Sequence, residues 1–397
     1  MNTTKILCIL PVVLILLTGQ LFSQCTYFTD TGQSLGDSGS YNVALGDLDR
    51  DGDLDAFVAN GSYDSSKIWL NNGSGFFSDS GQSLGIAHYA DVELGDLDND
   101  GDLDAFVARY NLPNKILLND GTGTFTDSGQ ALSNKASQGV ALGDVDGDGD
   151  LDAFVANRWN QPNILWLNDG NAIFTSSQFM GNTESFDVEL ADLDNDGDLD
   201  AFVANGQSQD PQPNKVWFND GTGTFTDSGQ ALGNLSTISV DLGDLDGDGD
   251  LDAFTNTNQL QPSKVWLNDG LGNFSDSGQF LGSSGSGRVE LADIDSDGDL
   301  DAFAVYDTPP ANILWLNDGK ANFACSGQVI GNSVSSDVGI GDLDNDGDLD
   351  AFIANAEANK VWMNILPEPV PGDINGDCRV NLEDFMTLAT NWLEFSE

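Results

Sequence analysis

The chain has 397 residues, enough for one large core or several small ones, and its 65 acidic and 13 basic residues give a formal net charge of −52. The scattered Lys and Arg argue against a nucleic-acid partner, because phosphate binding needs a basic patch. Beyond the N-terminal segment no apolar run is long enough for a membrane helix, so no membrane span is expected.

Residues 1–23 read as a secretory signal. Lys5 supplies the positive start, and Ile6 to Leu17 form an apolar core too short for a comfortable span. Cleavage is expected near Ser23 or Gln24. A lipoprotein signal ending at Cys25 is the alternative, although Phe22-Ser23-Gln24 is bulkier than a lipobox. The protein is therefore expected to be extracellular or on the cell surface. Cys8 leaves with the signal, so Cys25, Cys325 and Cys378 remain, and at most one intramolecular disulfide can form. Cys325 could pair with either of the other two.

One stretch then recurs through the chain. Gly46-Asp47-Leu48-Asp49-Arg50-Asp51-Gly52-Asp53-Leu54-Asp55-Ala56-Phe57 is followed by six near copies at intervals close to fifty residues. A fixed period of this size marks a stacked repeat. The five aspartates of each copy are Asp47, Asp49, Asp51, Asp53 and Asp55; Asp96, Asp98, Asp100, Asp102 and Asp104; Asp144, Asp146, Asp148, Asp150 and Asp152; Asp192, Asp194, Asp196, Asp198 and Asp200; Asp244, Asp246, Asp248, Asp250 and Asp252; Asp293, Asp295, Asp297, Asp299 and Asp301; Asp342, Asp344, Asp346, Asp348 and Asp350. Oxygens at alternate places of a tight loop can converge on one hard cation. The glycine at the sixth place allows the sharp bend, and the seventh residue would offer its carbonyl. An all-oxygen shell favours Ca²⁺ over zinc or copper. An EF-hand fits poorly here, because Val58 stands where a bidentate Glu belongs. Leu54 is expected to anchor the loop in the core. The acidity is thus read as loop ligands plus solubility, and seven Ca²⁺ ions would leave the chain still acidic.

Each period reads as four strands. In the fourth they are Phe186–Leu190, Leu199–Ala204, Lys215–Phe218 and Thr224–Thr226, with Asn219-Asp220-Gly221 as a hairpin turn between the last two. No sustained helical period falls between Thr26 and Leu366. Four antiparallel strands repeated seven times predict an all-β, seven-bladed β-propeller over residues 25–366. The seventh unit stops at Lys360-Val361-Trp362-Met363-Asn364 without a fourth strand. Tyr27-Phe28-Thr29-Asp30-Thr31-Gly32-Gln33 matches the missing piece, so the N-terminal strand is expected to close the ring and remove its open edges. The tryptophans at 69, 166, 217, 266, 315 and 362 recur at one blade position and read as packing.

The loop, followed by Val-Trp-Leu-Asn-Asp-Gly, resembles the FG-GAP/VCBS repeat family, which is similar to the integrin α-subunit propeller. The resemblance covers about Tyr27 to Leu366, and the loop ligands carry over in every repeat. It implies a secreted or surface protein used in adhesion or recognition, although such repeats also occur attached to enzymes.

Strand order puts the seven loops and the Asn-Asp-Gly turns on one face. The opposite face carries the segments that differ most between repeats, with Tyr63, Tyr110, Trp159 and Tyr306 among them. These aromatics are the candidate anchors for a glycan or protein ligand; drifting surface loops are the alternative.

Residues 367–397 form a tail. A Pro-rich linker leads to Asp373, Asn375, Asp377, Arg379, Asn381 and Asp384, which have EF-hand-like oxygen spacing, and then to a short amphipathic helix. This resembles one half of a type I dockerin, with Cys378 in the usual glycine place and a single loop–helix unit. The resemblance implies a further Ca²⁺ site and a cohesin-like partner. Catalytic residues are not expected. His88 stands alone, and no nucleophile elbow, zinc-protease helix or phosphate loop is present. A calcium-dependent polysaccharide lyase or cellulosome-like component, with Arg109, Arg158 or Lys135 as its basic residue, is the alternative function. The chain is expected to act as a monomer.

Overall fold

Seven separate four-stranded antiparallel sheets form among the described residues, and six of them follow chain order from inner to outer strand. In blade 1 the strands are Ser40–Gly46, Asp55–Asn60, Lys67–Leu70 and Ser78–Asp79. The computed structural model describes residues 27–365, apart from 38, 62–63, 86–88, 207–210, 259–260, 283–286 and 308–311. The expected signal, Cys25, Tyr63, His88 and the whole tail with its EF-hand-like loop and helix lie outside the described residues.

The second strand explains why blades stack. Asp-Ala-Phe-Val-Ala-Asn is buried along its full length in blade 1, because both faces of a middle strand press on neighbouring blades. Its phenylalanine meets, edge-on, a phenylalanine in or immediately before a neighbouring blade's fourth strand. Seven such pairs, from Phe57–Phe125 to Phe28–Phe303, have centroids 5.1–5.5 Å apart. Each contributes about 0.5–1.5 kcal/mol beyond its buried area.

The ring closes as expected. Phe28, Thr29 and Asp30 pair with Asn364, Met363 and Trp362, so the N-terminal strand is the outer strand of blade 7. Gln328 fastens this seam by accepting from the Phe28 backbone N–H at 3.1 Å and donating to the Phe28 carbonyl at 2.5 Å. Equivalent glutamines serve the other seams: Gln33 accepts from Phe77 and donates to the Gly75 carbonyl.

A bulge in the first strand, between Ser40 and Asn42 and at the matching place in five other blades, turns one side chain toward the next blade. Asn42 there accepts from Val92 N–H at 3.2 Å, Asp91 from Val140 at 2.9 Å and Asp337 from Val43 at 2.9 Å. Four of the recurring tryptophans, Trp69, Trp166, Trp266 and Trp315, are buried, and Trp217 and Trp362 pack half-buried against the core. Cys325 is disulfide-bonded, with its partner outside the described residues.

Candidate metal loops and the opposite face

Backbone donors build each aspartate loop. In blade 1, Asp47 accepts from the N–H groups of Asp51 and Gly52, both at 3.1 Å, and Asp51 accepts from Asp53 N–H at 3.0 Å. Gly52 has φ 95°, and the sixth-place glycines of all seven loops lie between 90° and 98°, in the left-handed region where a Cβ is strained. Asp55 is a strut. Its Oδ2 accepts from Leu48 N–H at 3.1 Å and its Oδ1 from Asn71 N–H at 2.8 Å, so the loop and the Asn-Asn-Gly turn are tied together on one face.

Carboxylate oxygens converge inside these loops. Asp47, Asp49 and Asp55 each offer an oxygen within 4.8 Å of the others, as do Asp96, Asp98 and Asp104, Asp144, Asp146 and Asp152, and Asp192, Asp194 and Asp200. In the fifth loop the trio is Asp244, Asp246 and Asp248, without Asp252. One oxygen of Asp49 is buried with no hydrogen-bond partner, and the same is true of Asp98, Asp146, Asp194, Asp295 and Asp344. Burial and the neighbouring Asp51 push the Asp49 carboxyl up, and burial pushes Asp55 to about 7. Orphaned oxygens in a crowded all-oxygen set are what a hard divalent cation would satisfy, so the residues present fit such an ion.

Three features of the loops were not foreseen. The anchor buried most deeply is the second place, with Leu48 at 0% exposure, whereas Leu54 only packs half-buried at the core's edge. The turn asparagine crosses between blades: Asn119 Nδ2 donates to the Leu48 carbonyl and Asn71 Nδ2 to the Leu343 carbonyl, both at 2.8 Å, and all seven blades repeat the bond. The fourth loop place also reaches over. Asn99 donates to Asp150 at 2.7 Å, Asn195 to Asp250 at 2.9 Å and Asn345 to Asp53 at 2.9 Å, while Arg50 pairs with Asp102. In these pairs the seventh-place side chain is engaged with the preceding blade.

On the propeller axis, a cavity of about 460 Å³ lies between the first strands. Arg288 of blade 6 spans it to reach Asp91 of blade 2 at 2.7 Å, Asp187 of blade 4 at 3.4 Å and Asp337 of blade 7 at 3.9 Å. Glu93, Glu189, Asp241 and Glu290 line the same cavity, and burial raises the pKa of each. No local pattern around Arg288 signals this role, since its partners are 49 to 197 positions away.

The opposite face brings two of the four expected aromatics together. Trp159 Nε1–H donates to the Tyr110 hydroxyl at 2.6 Å. Tyr306 is a correction. It is 2% exposed and packs with Trp315 and Val289, because it continues the buried strand Asp301–Ala304 inward rather than opening a surface loop. Arg158 is held by Glu184 at 3.1 Å, and Arg109 donates to the Pro113 carbonyl at 3.1 Å.

The chain matches the FG-GAP-like repeat model at residues 47–107, 96–155, 144–203, 192–255 and 293–353. No curated protein matches it. Among solved structures, it is similar to BBS1N in its complex with ARL6DN, soaked with mercury, at 10% identity and TM-score 0.59, covering 86% of this chain and 98% of that one. The lead-soaked form of that complex gives 10% identity and TM-score 0.60, with 87% and 98% covered. An Agrocybe aegerita lectin, described as recognising non-reducing terminal N-acetylglucosamine, is similar at 19% identity and TM-score 0.51, covering 81% and 87%. At these identities the likeness concerns the fold alone. The repeated loops, the seven closed blades and the matched segments together make this chain a member of the FG-GAP-like repeat family.

Proposed function

We propose that the protein is a secreted or cell-surface calcium-binding β-propeller that acts as a binding or adhesion module for a glycan or protein ligand. Calcium is structural in this reading. It satisfies the loop carboxylates and ties the first two strands of each blade, and sites on the order of 10⁻⁴ M would suffice outside cells. The observation that carries the reading is the contrast between faces. One face repeats the same loop seven times, while the other varies from blade to blade and presents an exposed Trp159 hydrogen-bonded to a half-buried Tyr110. The structural neighbours support it in kind, since one is described in complex with a protein and another as a lectin.

The tail is proposed as an additional calcium site; cohesin-type docking remains an expectation of the resemblance. To test the main reading, the calcium-loaded chain would be applied to an array of glycans and extracellular proteins. Binding that tolerates substitutions on the loop face but not on the opposite face is expected. Silence across the array in calcium would count against it.

A further inference from the structure

Trp159 is 53% exposed, and it and Asn160 have φ of 63° and 53°; asparagine tolerates this left-handed region, whereas a bulky tryptophan is strained in it. Strain of this kind persists only where neighbours over-determine it, and it collects at binding sites. Here three consecutive blades hold the turn. Glu184 of blade 4 accepts from Trp159 N–H at 2.9 Å and from Arg158 Nε at 3.1 Å. Gln212 donates to Asn160 at 3.2 Å and accepts from Glu184 N–H at 2.8 Å. Tyr110 of blade 2 fixes the edge of the indole ring. The Arg158 guanidinium lies 5.9 Å from both ring centroids and 4.3 Å over Phe186.

We propose that Trp159 and Tyr110 form a subsite that stacks on the apolar face of a neutral pyranose. The inference rests on the reading that this face binds ligand, and it commits that reading to one chemistry. A flat aromatic surface ringed by amides suits a sugar, whose C–H face packs on the ring while its hydroxyls meet Asn160 and Gln212. A protein anchor would call for more apolar surface, yet Trp159 is the one exposed large apolar side chain among the described residues of 109–113, 157–162 and 184–186. An acidic sugar is disfavoured because the chain is strongly negative and Glu184 already engages Arg158.

The test is affinity electrophoresis of the full chain in calcium, through gels containing hydroxyethylcellulose, galactomannan or arabinoxylan, with polygalacturonate as the acidic comparison. At least one neutral polymer is expected to retard the protein. Trp159→Ala should weaken that retardation about tenfold or more, the equivalent of one lost stacking contact. Trp159→Phe should keep part of it. Phe280→Ala, at a 71% exposed aromatic outside this sector, should leave it unchanged. Unchanged melting of Trp159→Ala would show that the loss is not unfolding. Absence of retardation in all three neutral gels, retardation equal in Trp159→Ala, or stronger retardation by polygalacturonate would overturn the subsite. Array binding that survives Trp159→Ala would overturn it while leaving the binding-module reading intact.

Discussion

At the scale of single residues, each loop is held by chemistry local to it. Five aspartates and a glycine within nine places fix a turn whatever surrounds it, and Gly52 takes the positive φ that its place requires. Side chains whose partners sit in another blade were not legible. Asn119 reads as a hairpin residue, yet its amide holds the Leu48 carbonyl of the preceding blade and the Leu103 carbonyl of its own. Asn119→Ala leaves both carbonyls without that donor and should cost about 1–3 kcal/mol, measured as a shift in the urea midpoint. Tyr306 failed for the complementary reason. A tyrosine in a variable segment looks like surface, but the strand before it carries it into the core. By contrast, Arg50→Ala should cost less than Asn119→Ala, on the order of 1 kcal/mol, because Arg50 is 53% exposed and water can take its place beside Asp102, although Asp102 itself is only 6% exposed. A larger loss in the same urea titration would mean that the contacts between loops hold the ring.

At the scale of strands and blades, the expected order was right, and the errors lie at the ends. In blade 4 the strands run Ser185–Ala191, Asp200–Asn205, Lys215–Phe218 and Thr226–Asp227. The fourth starts later than expected because Asp220 accepts from both the N–H and the hydroxyl of Thr222, which prolongs the turn. The closing strand was visible because its sequence repeats the one missing from blade 7. Phe28 is 1% exposed and faces Phe303 at 5.3 Å. Phe28→Ala should therefore destabilise the protein by about 3–5 kcal/mol and loosen the seam. Native-state proteolysis would check this, with first cleavage expected at the released N-terminal strand. Cleavage starting elsewhere would place the weak point away from the seam.

At the scale of the whole molecule, two charge systems oppose folding until they are compensated. The axial set comprises the cavity-lining Glu93, Asp187, Glu189, Asp241, Glu290 and Asp337, together with Asp91, against Arg288. Burial raises Asp91 to about 6 and Asp241 and Asp337 to about 7, from an ordinary 3.8. A raised carboxyl pKa means that the folded state holds its proton longer. This stability is fully present below about pH 4 and is lost as the pH rises through about 7. Glu189 is raised in the same direction, by burial first and then by Asp241. Glu189→Gln, assayed in saturating Ca²⁺, should flatten the fall in melting temperature as the pH rises above the ordinary 4.5 of a glutamate; a profile parallel to the unsubstituted chain would remove Glu189 from the account.

The loops are the larger system, and the proposal that calcium is part of the fold stands or falls on them. Each site that binds only the folded chain adds about 2.7 kcal/mol at a hundredfold excess of ion over its Kd. Thermal unfolding of the protein with Ca²⁺ and with excess chelator measures this directly. The account predicts a large loss of melting temperature in chelator, restored by adding Ca²⁺ back. Coincident melting curves would contradict it.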